Sequence, residues 1–123
     1  MVREPLDRSA PAGPPVVASE GETGGCWVVR AQGDLDSDTI DPLFIALWQA
    51  VAGHRAVVLD ASAVTFADSS FLSLLIEVHR RTDLRLASPG TSLARLLRTA
   101  GVDRVLRSFP SLDAAIGAPP AAS

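Results

Sequence analysis

The chain contains no lysine; all eleven of its basic residues are arginine. A phosphate-loop NTPase, a Schiff-base enzyme and a receiver domain each need a lysine, so all three are excluded together. Cys26 is the single cysteine, which rules out an internal disulfide and a thiolate metal cage. His54 and His79 stand far apart with no partner histidine at ligand spacing, so no zinc site is expected. No Gly-rich phosphate cradle is present either, and no cofactor is expected. Positive charge is also short: 14 acidic residues against 11 basic ones give a net charge of -3. A general nucleic-acid binder would carry the opposite balance. The longest strongly apolar run, Phe71 to Ile76, is far below the ~20 residues of a membrane helix. The first fifteen residues lack the apolar stretch of a secretory signal. A soluble cytoplasmic domain without membrane insertion is expected.

What the chain does have is 123 residues of 47% hydrophobic composition, enough for one globular domain. Residues 1–15 and 117–123 are rich in Pro and Ala and are expected to form a disordered leader and tail. The domain is expected between them, at residues 16–116. Val16 to Ala18 reads as a weak first strand, Gly21 to Gly25 as a turn, and Cys26 to Gly33 as a stronger strand. Together they predict an antiparallel hairpin. After a polar corner at Asp34 to Asp38, the spacing of Ile40, Leu43, Phe44, Leu47 and Val51 predicts a helix closed by Gly53. Ala56 to Asp60 is an apolar strand of the buried kind, after which Val64 and Phe66 alternate as the chain turns over. A second helix is expected over Ser69 to Arg80 and a strand over Leu84 to Ala87. Leu93, Leu96, Leu97 and Ala100 mark a third helix, Val105 and Leu106 a last short strand, and Ser111 to Ile116 a final turn or two of helix. The fold class is therefore α/β: a mixed, mostly parallel sheet of about five strands, with an N-terminal hairpin and three to four helices. Chemistry should gather where strands end and helices begin.

Among those corners, Asp68-Ser69-Ser70 stands out. An aspartate and two serines directly before an apolar helical run form an N-cap cluster, with outward backbone N–H groups and the positive end of the helix dipole. A serine there can carry a phosphoryl group whose oxygens meet those N–H groups. The same residues serve equally well as a plain helix start.

The whole domain resembles the STAS family (sulfate transporter and anti-sigma factor antagonist). The likeness rests on Gly33-Asp34-Leu35-Asp36, on Val57 to Ser62, on Val64 to Ser70, and on Leu93 to Val102, in order across Val16 to Ile116. In the anti-sigma factor antagonist branch, the resemblance implies a binding domain without catalytic residues of its own. Its switch is phosphorylation of the first serine after the aspartate, here Ser69. The implied partners are an anti-sigma factor that is also a serine kinase of the GHKL type, and a PP2C-type phosphatase that resets the switch. An unphosphorylated scaffold, in a stress-signalling assembly or beside a lipid-exporting ABC ATPase, is the alternative. The partner-binding surface would comprise Asp34, Asp36, Asp68, Ser70 and Phe71. Phe71 departs from the glycine usual after the serine pair. It either points into the core with Leu74, Leu75 and Val78 or stands as an apolar contact at the corner.

Other polar residues have simpler readings. Asp34 and Asp36 suit a solvated loop capping the first helix better than a paired-carboxylate or Mg²⁺ site. Asp60 sits where a receiver's phosphoacceptor would, but the lysine that fold needs is missing. Cys26, Trp27 and Trp48 read as packing residues.

Overall fold

The computed structural model describes residues 14–121. The expected leader falls mostly outside the described residues. Within them, a hairpin of β1 (Val17–Thr23) and β2 (Cys26–Leu35) opens the fold. Gly24 and Gly25 make its two-residue turn with φ of +59° and +86°, the paired left-handed geometry that lets a tight hairpin follow the strand twist. A Cβ at Gly24 would also strike Ile116 Cγ2 at 2.5 Å. The turn is thus shorter than composition suggested, and Gly21 to Thr23 belong to the strand.

Next come α1 (Asp41–Gly53), β3 (Ala56–Ala67), α2 (Ser69–His79), β4 (Asp83–Ala87), α3 (Thr91–Thr99), a 3₁₀ turn (Val102–Arg104), β5 (Arg107–Phe109) and α4 (Leu112–Gly117). The five strands lie in sequence order, β1 antiparallel to β2 and every later pair parallel. The three successive crossovers between neighbouring parallel strands put α1, α2 and α3 on one face, over one core. Their buried residues meet Val29, Ala31, Val57, Leu59, Ala61, Leu84 and Leu86 in the main core. The alternate residues Cys26, Val28, Ala56, Val58 and Ala87 face the other way and are covered by α4 through Ala115, Leu112 and Ile116.

Two expectations need correction. The last strand is Arg107–Phe109 and not Val105–Leu106; Val105 is exposed and Leu106 is drawn into the core behind the 3₁₀ turn. The chain after Ala61 does not turn over. β3 runs to Ala67, well past Asp60↔Ala87, the last β3–β4 pair, and from there pairs only with β2. The alternating Val64 and Phe66 were the signature of this protruding two-stranded ribbon. The stretch marked as tail begins inside α4. Arg107 Nη1 donates to the Pro119 carbonyl at 3.0 Å and Ala121 N donates to Asp83 Oδ2 at 3.2 Å.

Candidate functional site

The ribbon of β2 and β3 carries both polar corners to one end of the molecule. Register pairs Asp34 with Phe66 and Leu35 with Ala67, and the Asp68 amide donates to the Leu35 carbonyl at 3.2 Å. Gly33, at φ +79°, accommodates the irregularity that precedes Asp34, a conformation a residue with a Cβ rarely adopts. Thr65 Oγ1 then donates to Asp34 Oδ1 across the ribbon at 2.6 Å. Asp34, Asp36, Asp68, Ser69 and Ser70, drawn from two distant stretches of sequence, therefore share one corner.

Their roles differ. Asp36 closes the loop before α1: its carboxylate accepts from the Asp38 amide at 2.9 Å, and its carbonyl accepts from Thr39 and Ile40. Asp68 is the N-cap of α2 in extended conformation, and its Oδ1 accepts from the Ser70 amide at 2.8 Å. The Phe71 and Leu72 amides bond to the Asp68 carbonyl. The helix start is consequently not an open anion cradle; three of its amides already have acceptors. Ser69, at the first helical position, is exposed, and its hydroxyl makes no hydrogen bond to another described residue. Ser70 is half-buried. No arginine pairs with Asp34, Asp36 or Asp68 among the described residues, so this end carries uncompensated negative charge.

Phe71 requires a correction. It is 0% exposed and packs in the main core, so it offers a partner nothing. The aromatic ring that does stand at this end is Phe66, at 54% exposure. It walls a cleft with Thr65, Gly90, Thr91 and Ser92, the last three from the start of α3. An apolar residue on the outward phase of a protruding strand was the available signal. It reads as core until the strand's length past its neighbour is known.

Asp60 has a structural assignment. It is 3% exposed, accepts from Arg30 Nε at 3.1 Å and caps the Ser62 amide at 3.0 Å. Cys26 is likewise buried, with Arg85 Nη1 at 3.5 Å from its sulfur. Among the described residues no cluster of three or more His, Cys, Asp or Glu could hold a metal ion. No helix there is long and apolar enough to cross a membrane.

A hairpin-led, sequentially ordered sheet with Asp68-Ser69-Ser70 at the head of the second crossover helix defines a small α/β domain. The chain belongs to the STAS domain family described as "Mlab, STAS domain", whose match spans residues 18–108. No curated protein sequence matches it significantly. Among solved structures it is similar to an anti-sigma factor antagonist from Mycobacterium paratuberculosis, with 28% identity, a TM-score of 0.74, and coverage of 80% of this chain and 88% of that one. It also resembles the anti-sigma factor antagonist SpoIIAA in its unphosphorylated form, with 17% identity, a TM-score of 0.66, and coverage of 80% and 91%. The phosphorylated form of that Bacillus cell fate determinant gives 17% identity, a TM-score of 0.61, and coverage of 80% and 95%.

Proposed function

We propose that the chain is an anti-sigma factor antagonist: it binds an anti-sigma factor that is also a GHKL-type serine kinase, and phosphorylation of Ser69 releases it. A PP2C-type phosphatase would restore the binding form, and the domain itself would act in the cytoplasm without catalysis. The observation that carries this reading is the Ser69 hydroxyl, exposed and unengaged at the head of α2, beside Asp68 and the end of β2. The similar mycobacterial structure bears the same functional description, and SpoIIAA exists in both phosphorylation states.

A phosphate adds about -1.5 to -2 charge and three oxygens. With the Ser70 amide already held by Asp68, the new anion gains little from the helix start and lies among carboxylates instead. A partner that closes over a hydroxyl would have to bury that charge, which is costly unless it is paired. Phosphorylation therefore acts by expelling the partner. Incubation with ATP and the cognate kinase should place one phosphate on Ser69 by mass spectrometry. Equal labelling of a Ser69→Ala protein would sink the assignment. Ser69→Asp should weaken kinase capture about tenfold, equivalent to ~1.4 kcal/mol.

The occupied helix start favours one other reading, a STAS scaffold never phosphorylated, in a stress-signalling assembly or beside a lipid-transport ABC ATPase. A pull-down from the native cell separates the two: a serine kinase supports the first, an ABC ATPase the second.

A further inference from the structure

Helix α1 is apolar on more than its buried side. Leu43, Ala46, Leu47 and Ala50 enter the core, yet Phe44 and Ile45 remain 50% and 54% exposed. Ile40, Phe44 and Trp48, one helical turn apart from each other, form a row along one edge of α1. Ser70, Ser73, Leu74 and Glu77 of α2 face that row across a groove of about 390 Å³. The Phe44 and Trp48 rings sit 6.1 Å apart along its wall. The groove starts at Ser70, next to Ser69, and runs toward Arg81, whose guanidinium lies 5.8 Å from the Trp48 ring.

The charges around it are asymmetric. Asp36 and Asp68 adjoin its head, accepting from the amides of Ile40 and Ser70 that line it; Asp41 lies in the first turn of α1, and Glu77 lines the groove. Against these, Arg80 makes a 3.5 Å pair with Glu77, both side chains being exposed, and Arg81 lies at the far end. An exposed i,i+3 pair of that length is worth at most a fraction of a kcal/mol and yields readily to a competing cation. An apolar slot with carboxylates at its head and one on its side selects an occupant with apolar anchors and positive charge beside them.

We propose that this groove is the docking site for an amphipathic helix of the anti-sigma partner, one that sets an aliphatic or aromatic anchor between Phe44 and Leu74 and flanks it with arginine or lysine. Identifying the occupant with that partner rests on the reading of Ser69 given above; the shape and charge of the groove do not. Docking here would place the partner's body against the head of α2, within reach of the Ser69 hydroxyl.

Selection of a random peptide display library on a Trp27→Phe protein tests this directly, because Trp48 is then the sole tryptophan. The enriched peptides should carry a large apolar residue with Arg or Lys on either side. Their synthetic copies should blue-shift Trp48 fluorescence, lose affinity about tenfold with Phe44→Ala and with Glu77→Arg, and weaken as salt is raised. Both substitutions are at solvent-facing positions, and circular dichroism should show both proteins folded. A Ser69→Ala protein should select the same peptides, so a failed phosphorylation experiment leaves this result standing and the converse also holds. Acidic or charge-free consensus peptides, unchanged affinity in both variants, or self-association of the protein that Phe44→Glu abolishes would overturn the proposal.

Discussion

The two ends of the sheet treat charge in opposite ways. At the end where the parallel strands begin, a half-buried Asp83 sits between Arg107 and the buried Arg85. Its carboxylate accepts from Arg85 at 2.9 Å and from Arg107 at 2.8 Å, and Arg85, 3% exposed, also donates to the Ala115 carbonyl at 2.9 Å. At the end where those strands finish, Asp34, Asp36 and Asp68 accept only from amides and hydroxyls, Asp34 from Thr65 across the ribbon and the other two from neighbours in sequence. Buried charge must be paired in place, and the pairing here ties β4, β5 and α4 together. Charge that meets no cation keeps its field. One end is built for integrity; under the function proposed above, the other is the contact end.

Substitutions can break that contrast, and the largest effect is expected beneath the contact end. Phe71→Gly should cost about 4 kcal/mol or more through a core cavity and a helical glycine. Urea denaturation measures it. A loss below about 1 kcal/mol would mean that the core reading of Phe71 is wrong. Next in size is Asp83→Asn, expected to cost about 3 kcal/mol by leaving Arg85 buried without its counter-charge. The pH dependence has a definite sign. Burial pushes the Asp83 carboxyl up, but hydrogen bonds from Arg107, Arg85 and the Ala121 amide outweigh it and hold the group below its ordinary 3.8. Its contribution is thus complete above the unfolded value and disappears as pH falls through the lower folded one. An acid titration of stability, wild type against Asp83→Asn, should show that segment of the curve only in the wild type.

Smaller effects sharpen the comparison at the open end. Asp68→Ala removes the cap on the Ser70 amide and should cost about 1 kcal/mol. Ser69→Ala should change stability by less than about 0.5 kcal/mol, since the hydroxyl touches no other described residue. Thermal melts that rank these two in reverse would make Ser69 a structural residue and Asp68 the free one.

Much of this organisation was legible in the residues. The Ile40 to Val51 spacing, the apolar run before Asp60 and the Asp-Ser-Ser before an apolar helix identified α1, the start of β3 and the head of α2 to within a few positions, because periodicity and capping are local properties. The last strand was misplaced because Val105 and Leu106 look like strand residues locally, while pairing with β4 selected Arg107 to Phe109. The carboxylates were visible as separate corners, but their meeting depends on register between β2 and β3.

The missing lysine looks different beside the structure. Guanidinium groups hold Asp83 and Asp60, where planar, multiply donating cations suit buried or partly buried pairs. Sequence alone determined the three main helices and the apolar centres of the buried strands, which serine heads α2, and that no lysine chemistry is possible. Only the tertiary structure decided that Phe71 is core, that Phe66 is surface, and that Asp34, Asp36 and Asp68 share one end. Those outcomes follow from strand register and from the length by which β2 and β3 outrun β4. Both are relations between distant segments, and a local pattern does not encode them.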